Sequence, residues 1–427
     1  VLYMLMLAAG GCYDRIELNE LAIADIMAID LTEDGLLRVS MQFIVPSELT
    51  NPGGVGAGSG LRDPFYVIEA VGETVPEALS LLQAKVPRRL FTSHVRVIVL
   101  GEDLARAGIG PVFDSLTRMR ELRVSADVIV TKGEGATLLR AAPRLGRLPV
   151  SALANMLHQR IVPTRTIRQV AIALASDGID PFIPAVGLAP RIETELEAGV
   201  RAQEFELEGV GIFRGDRLVG FATLEQARGL AWLVNEAPFA VATIQWPPEG
   251  GPPSPPAARP DVSPEEALIQ RDAPPGFGPD ALGGGLKEPN QISPQVLRAK
   301  VDLRSEIKDG QVVIHVHARA VDDIVTNQAG LNLMDPKVIP ELEKALATSV
   351  EERMRAMLRL AQEELEADVM GFGALVRRQH PKEWRELRQN WHAHFRQVPV
   401  HISVEVKVRR TGLTGNPAPF RPEQMRE

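Results

Sequence analysis

VDLRSEIKDGQVVIHVHARA, residues 301–320, is the stretch whose pattern decides how the second half of the chain folds. Val301 and Leu303 alternate with Asp302 and Arg304, Asp309-Gly310 supplies a tight turn, and Val312, Ile314, Val316 and Ala318 fall on one face of the return strand. Downstream, Leu342, Leu346, Val350, Met354, Met357, Ala361 and Leu365 recur every three or four residues, the stripe of one long helix. Pro336 or Pro340 sits in its first turn, and Gly371-Phe372-Gly373 is expected to stop it. A shorter helix from Pro381 carries Trp384, Leu387, Trp391 and Phe395 on one stripe, so both tryptophans are expected in the core. Val398, Val400, Ile402, Val404, Val406 and Val408 then alternate strictly, which predicts an antiparallel strand with one wet face.

Working back toward the start, GVGIFRGDRLVG (209–220) reads as a hairpin around Gly215-Asp216, followed by a helix over Leu224 to Val234 and a strand over Phe239 to Trp246. Residues 247–293 are rich in Pro and Gly and too poor in apolar side chains to order themselves. Ser151 to Gln159 and Thr166 to Ala175 are helical in pattern, with Pro181, Pro184 and Pro190 as breakers. Earlier still, Ile23 to Leu31 and Leu36 to Val45 are strand-like runs joined at Asp34-Gly35, Thr74 and Glu77 have capping-box spacing, and HVRVIVL (94–100) is apolar enough for a strand covered on both sides. The expected class is α+β: two or three mixed domains in which antiparallel or mixed sheets pack against long helices. The expected division is a truncated signal peptide over 1–11, an N-terminal α/β-type domain over 12–145 and a helical connector over 146–200. A C-terminal α+β domain follows from 201–246 plus 294–420, with 247–293 as a flexible insertion.

The first residues, VLYMLMLAAGGC, run apolar from Leu2 to Ala9 and shrink to Gly10 and Gly11 before Cys12. That is the shape of a secretory h-region and its small-residue cleavage site, met here without a Met or a basic n-region. Eleven residues are too few to cross a bilayer, which takes about 20. Cys12 is the single cysteine of 427 residues, so no disulfide forms within the chain, and its place after small residues marks a lipid attachment site. The net charge of −8 is spread without a basic block, which argues against nucleic acid as a partner and against an anionic lipid surface bound by charge alone. The attachment then falls to the lipid on Cys12.

Candidate chemistry is sparse. His315 and His317 share a strand face and His401 can lie on a neighbouring strand, but no further ligand has metal-site spacing, and interstrand histidine pairs are commoner than zinc sites. His392 and His394, two apart on a helix, point about 200° away from each other. Ser93-His94 makes no nucleophile–base pair, and NPGGVGAGSG (51–60) lacks the Lys-Ser/Thr ending of a phosphate loop. GxSxG and HExxH are absent. Two groups are candidates for partner contacts: Asp14, Arg15, Glu17 and Glu20 beside the anchor, otherwise a solvated face, and Gly371, Phe372 and Gly373, otherwise a helix stop with Phe372 plugging the core.

Five pieces, in order, carry a resemblance: CYDRIELNELAI (12–23), FTSHVRVIVLGEDLARAGI (91–109), RMRELR (118–123), GVGIFRGDRLVG (209–220) and GFGALVRRQHPKEWRELRQNWHAHF (371–395). The chain resembles the Ger(x)C family, the lipoprotein C subunits of nutrient germinant receptors in spore-forming bacteria. It departs from the family at Tyr13, where Trp is usual, and in the 247–293 tract. The resemblance implies a non-enzymatic subunit on the outer face of the spore inner membrane. Its partners would be a multispan, transporter-like B subunit and a partly membrane-embedded A subunit, and it would carry no cofactor beyond the covalent lipid. The rival reading, a lipid-anchored extracellular solute-binding protein, calls for two similar α/β halves that this sequence lacks.

Overall fold

The computed structural model describes residues 17–45, 64–141, 143, 148–190, 203–237, 243–246 and 290–410. Cys12, Asp14, Arg15, the 51–60 loop and residues 247–289 lie outside the described residues. The first half contributes β1 (Leu21–Leu31), β2 (Leu37–Ile44), β3 (Phe65–Gly72), α1 (Val75–Gln83), β4 (Arg89–Phe91) and β5 (Val97–Leu100). It continues with α2 (Glu102–Ala107), α3 (Gly110–Arg118), β6 (Asp127–Val130), α4 (Ala136–Leu139), α5 (Pro149–His158), β7 (Arg165–Thr166), α6 (Ile167–Leu174) and β8 (Phe182–Leu188). Then come β9 (Phe205–Arg214), β10 (Arg217–Thr223), α7 (Leu224–Leu233), β11 (Ile244–Gln245), β12 (Gln291–Lys308), β13 (Gln311–Asn327), α8 (Val338–Arg359), α9 (Phe372–Gln379), α10 (Pro381–Leu387), α11 (Trp391–Phe395) and β14 (Val400–Arg410).

Among the described residues these strands form two sheets, one of ten strands along the path β10-β9-β8-β6-β5-β1-β2-β3 and one of four in the order β11-β12-β13-β14. The middle of the large sheet, β1, β5, β6 and β8, is parallel, and antiparallel hairpins extend it on both sides. Its faces are both covered: Met27 and Ile29 of β1 join one buried cluster, Ile26 and Ala28 another. The nearly unbroken apolar run of β5 has this cause, since a strand roofed on both sides has no wet face to alternate with. In the small sheet Val312, Ile314, Val316 and Ala318 of β13 are buried as one face, roofed by the stripe of α8 from Leu342 to Met357. α6 and α7 open with reciprocal capping boxes, Thr166 with Gln169 and Thr223 with Gln226.

Four expectations are corrected. β9 and β10 do not begin the C-terminal body at 201: β9 pairs with β8 from Leu188↔Phe205 to Phe182↔Ile212, so the hairpin closes the free edge of the large sheet. Its turn was legible, but a hairpin's local pattern does not say which sheet edge it covers. The 146–200 connector holds the two expected helices but ends in β8, extended straight through Pro184, because the ring's fixed φ suits extended backbone as well as a break. β14 runs parallel, not antiparallel, to β13, from Ile314↔Val400 to Asp323↔Arg410. Alternation reports one wet face in either direction, and the helical return through α8 brings the chain back to the end where β13 began. Finally, α8 ends well before Gly371: it passes at Leu360–Glu364 into a π turn, and Glu366 at φ +52° turns the chain away.

Candidate functional site

Of the residues expected beside the anchor, Glu17 and Glu20 are described. They bracket the 3-10 turn Leu18–Glu20 that leads into β1, both exposed, with the Glu20 carboxylate accepting from the Glu17 N–H at 3.3 Å and the Glu20 N–H donating to the Glu17 carbonyl at 3.0 Å. The Gly371-Phe372-Gly373 turn faces inward. Gly371 holds φ +74°, Phe372 is fully buried with its ring 6.3 Å from that of Phe395, and a Cβ on Gly373 would lie 2.6 Å from the Trp391 indole nitrogen. Phe372 and Gly373 therefore serve packing, and a partner would meet them only after this core opened. Trp384 and Trp391, as expected from their stripe, are buried and meet edge to face at 5.2 Å.

What sequence reasoning missed is the polar joint beneath that turn. Asp180, just before β8, and Asp368, just before α9, tie the large sheet to the C-terminal helices. Asp180 accepts from Gly215 N–H at 2.7 Å, Asp368 N–H at 2.8 Å and His392 Nε2 at 2.9 Å. Its own N–H donates to the Asp368 carbonyl at 2.9 Å, and Ala374 N–H donates to the Gly178 carbonyl at 2.8 Å. Asp368 has no solvent exposure and accepts from Phe372 N–H at 2.9 Å, Gly373 N–H at 2.7 Å and Trp391 Nε1 at 2.9 Å. Glu366 adds ion pairs to Arg214 at 3.2 Å and Arg396 at 3.0 Å. A carboxylate this enclosed persists only with its acceptor sites filled. The available sign was Asp368 itself, a charge inside the apolar run Ala367 to Met370.

Burial pushes Asp368 up from the ordinary 3.8 to about 6 against the pull of its three donors, and burial does the same to Asp25 and Asp322, each also raised to about 6. The bond from Asp180 raises His392. The folded protein therefore binds protons that the unfolded chain releases between about 3.8 and 6, so stability falls as pH rises through that window. The His392 contribution, complete below its ordinary 6.5, is lost as pH rises through its raised value, in the same direction. Asp368 alone accounts for about 3 kcal/mol at 1.36 kcal/mol per unit. The urea midpoint is accordingly expected to be higher at pH 5 than at pH 8; a lower midpoint at pH 5 would contradict the assignment.

His315, His317 and His401, expected as interstrand histidines and not as a metal set, lie in one patch and are each engaged by a neighbour. His315 stacks on His401 at 5.4 Å between ring centres and reaches Glu306 at 3.2 Å, while His317 pairs with Ser403 at 2.9 Å. Among the described residues no three His, Cys, Asp or Glu side chains stand close enough to hold a metal ion. Ser93 and His94 lie in a turn ahead of β5, with His94 Nε2 3.6 Å from the buried Asp25 carboxylate.

Two family models match: a spore germination protein N-terminal domain over residues 14–188, and a spore germination B3/GerAC-like C-terminal domain over 284–412. The first ends with β8 and the second begins just ahead of β12, leaving the β9–β10 hairpin and α7 between them. Spore germination protein KC of Bacillus subtilis (strain 168) is 26% identical, covering 95% of this chain and 93% of its own. Spore germination protein B3 of the same organism is 22% identical, covering 97% and 98%. The crystal structure of the GerBC protein shares the fold, with a TM-score of 0.52 at 18% identity over 90% of this chain and 96% of that one. With both family domains present in order and such relatives matching nearly end to end, the chain belongs to the Ger(x)C family of spore germination proteins.

Proposed function

We propose that this protein is the lipid-anchored C subunit of a nutrient germinant receptor, held at the outer face of the spore inner membrane through Cys12. There it acts without catalysis, by contact with the multispan B subunit and the partly membrane-embedded A subunit. The observation that carries this reading is the run of small residues ending in the single cysteine, set nine positions before the first strand of a body that matches spore germination proteins over both halves. Among the described residues no helix is long and apolar enough to cross a membrane, so on this reading the acyl chains do the holding. Tethering confines the body to a thin layer at the bilayer, raising its effective concentration near membrane partners by orders of magnitude over free diffusion. The unequal sheets, ten strands against four, count against the two matched lobes of a solute-binding protein.

Cys12→Ala, exported behind a cleavable secretion signal, is expected to leave the high-salt-washed membrane fraction, and nutrient-triggered germination is expected to fall with it. A variant that stays in the washed membranes and supports normal germination would contradict the proposal.

A further inference from the structure

The whole-chain charge of −8 conceals a polarity. The parallel strands β1, β4, β5 and β6 run the same way with their starts toward one end of the large sheet, Leu21 opposite Arg89, and Ile26 of β1 opposite Val97, itself opposite Asp127. The turns feeding that end hold Arg88, Arg89, Arg96, Arg120, Arg123 and Arg160, all exposed. The hydrogen-bond ladder draws these turns together: Arg96 N–H donates to the Asp25 carbonyl at 2.9 Å, Asp127 N–H to the Arg96 carbonyl at 2.8 Å, and Arg89 pairs with Glu121 at 3.0 Å. Beside Arg96 and Arg123 lies an open cavity of about 400 Å³, lined also by His94, His158 and the hydroxyls of Ser93 and Ser125, with the Asp127 carboxylate on its wall. Among the described residues the acids near these turns include Glu17, Glu20 and Glu121 on the surface, the half-buried Asp127 and the buried Asp25.

This is also the end at which β1 begins. Leu21 is nine residues after Cys12, and nine extended residues reach at most about 30 Å. The far end of β1 lies ten residues further on, another roughly 33 Å away.

We infer that this arginine-rich end of the large sheet faces the bilayer and binds the phosphate groups of anionic phospholipids, with the cavity between Arg96, Arg123, His94 and His158 as a headgroup seat. The inference rests on the anchoring at Cys12 for its orientation, because the short tether leaves this end nearest the membrane. Clustered arginines beside an anionic surface attract it and are screened within a Debye length of about 8 Å at physiological salt, so the contact is salt-sensitive where an acyl anchor is not.

The test uses the full chain carrying Cys12→Ala, so that no acyl group contributes, and measures co-sedimentation with vesicles of phosphatidylcholine alone or mixed with phosphatidylglycerol. The expected result is binding to the anionic vesicles at low salt, loss of it at high salt, and none to the neutral ones. Adding R88E, R120E, R123E and R160E, of which Arg123 lines the cavity, is expected to weaken the binding by roughly tenfold or more while the thermal midpoint holds. R88Q, R120Q, R123Q and R160Q should fall between. Equal binding to neutral vesicles, no binding to anionic ones, or indifference to the charge reversals would overturn the inference. So would a reversal that spares vesicle binding and blocks capture of the receptor's membrane subunits, which would assign this end to an acidic protein partner. Failure of the anchor is read separately, as a mature wild-type chain whose Cys12 carries no acyl mass.

Discussion

Asp368→Ala is expected to lower stability by about 4 kcal/mol near neutral pH, read as a fall in the urea midpoint. The substitution leaves Phe372 N–H, Gly373 N–H and the Trp391 indole buried without an acceptor, and each such loss costs roughly 1–3 kcal/mol. Relief of the carboxylate's own desolvation, the cause of its raised pKa, returns part of that sum. Asp368→Asn keeps one acceptor oxygen and is expected to lose less. The damage should spread beyond the helices, because Asp368 N–H also holds Asp180, and through it the turn at Gly215 between β9 and β10. Protease sensitivity rising at the Gly215 turn together with the α9–α11 segment would show that the joint couples the two sheets. A variant as stable as the parent would show that the joint is dispensable.

Gly229→Val is the second large effect, at about 3 kcal/mol of destabilisation. α7 and α8 cross where a Cβ on Gly229 would collide with the Arg353 carbonyl oxygen, a contact between two helix backbones that no side-chain rotation relieves. The helices would have to separate at the level of Leu230 and Met354, both fully buried, and open the largest core. Gly229→Ala gains helix propensity of about 1 kcal/mol yet meets the same carbonyl, so it is also expected to lose stability on balance. Urea unfolding of both variants checks this, and a stabilised Gly229→Ala would contradict the close approach.

Much of the architecture could be read from the residues because a single periodicity ruled long stretches. The β12–β13 hairpin follows from strict alternation around Asp309-Gly310, and α8 from a stripe that keeps one face buried from Leu342 to Met357. The α+β class and the Ger(x)C family were both legible, the family because its motifs are spread in order along the chain. What was not legible is pairing at a distance. Whether β9 completes the first sheet or opens a second body depends on the free edge of β8, which its own residues do not announce. The direction of β14 depends on how the preceding helices return the chain, not on its valines. The joint has no local pattern, because Asp180 lies 188 residues from Asp368 and 212 from His392. The basic end was hidden in the same way: its arginines come from separate turns, and only the parallel strand starts bring them together.

On the proposed function this body works at the membrane by touching the other receptor subunits. Affinity purification of the tagged chain from detergent-solubilised spore inner membranes tests it most directly. The A and B subunits are expected to elute with it, and to be absent when the tag is on a Cys12→Ala chain. Elution of the intact chain alone, with A and B retained together elsewhere in the membrane, would contradict it.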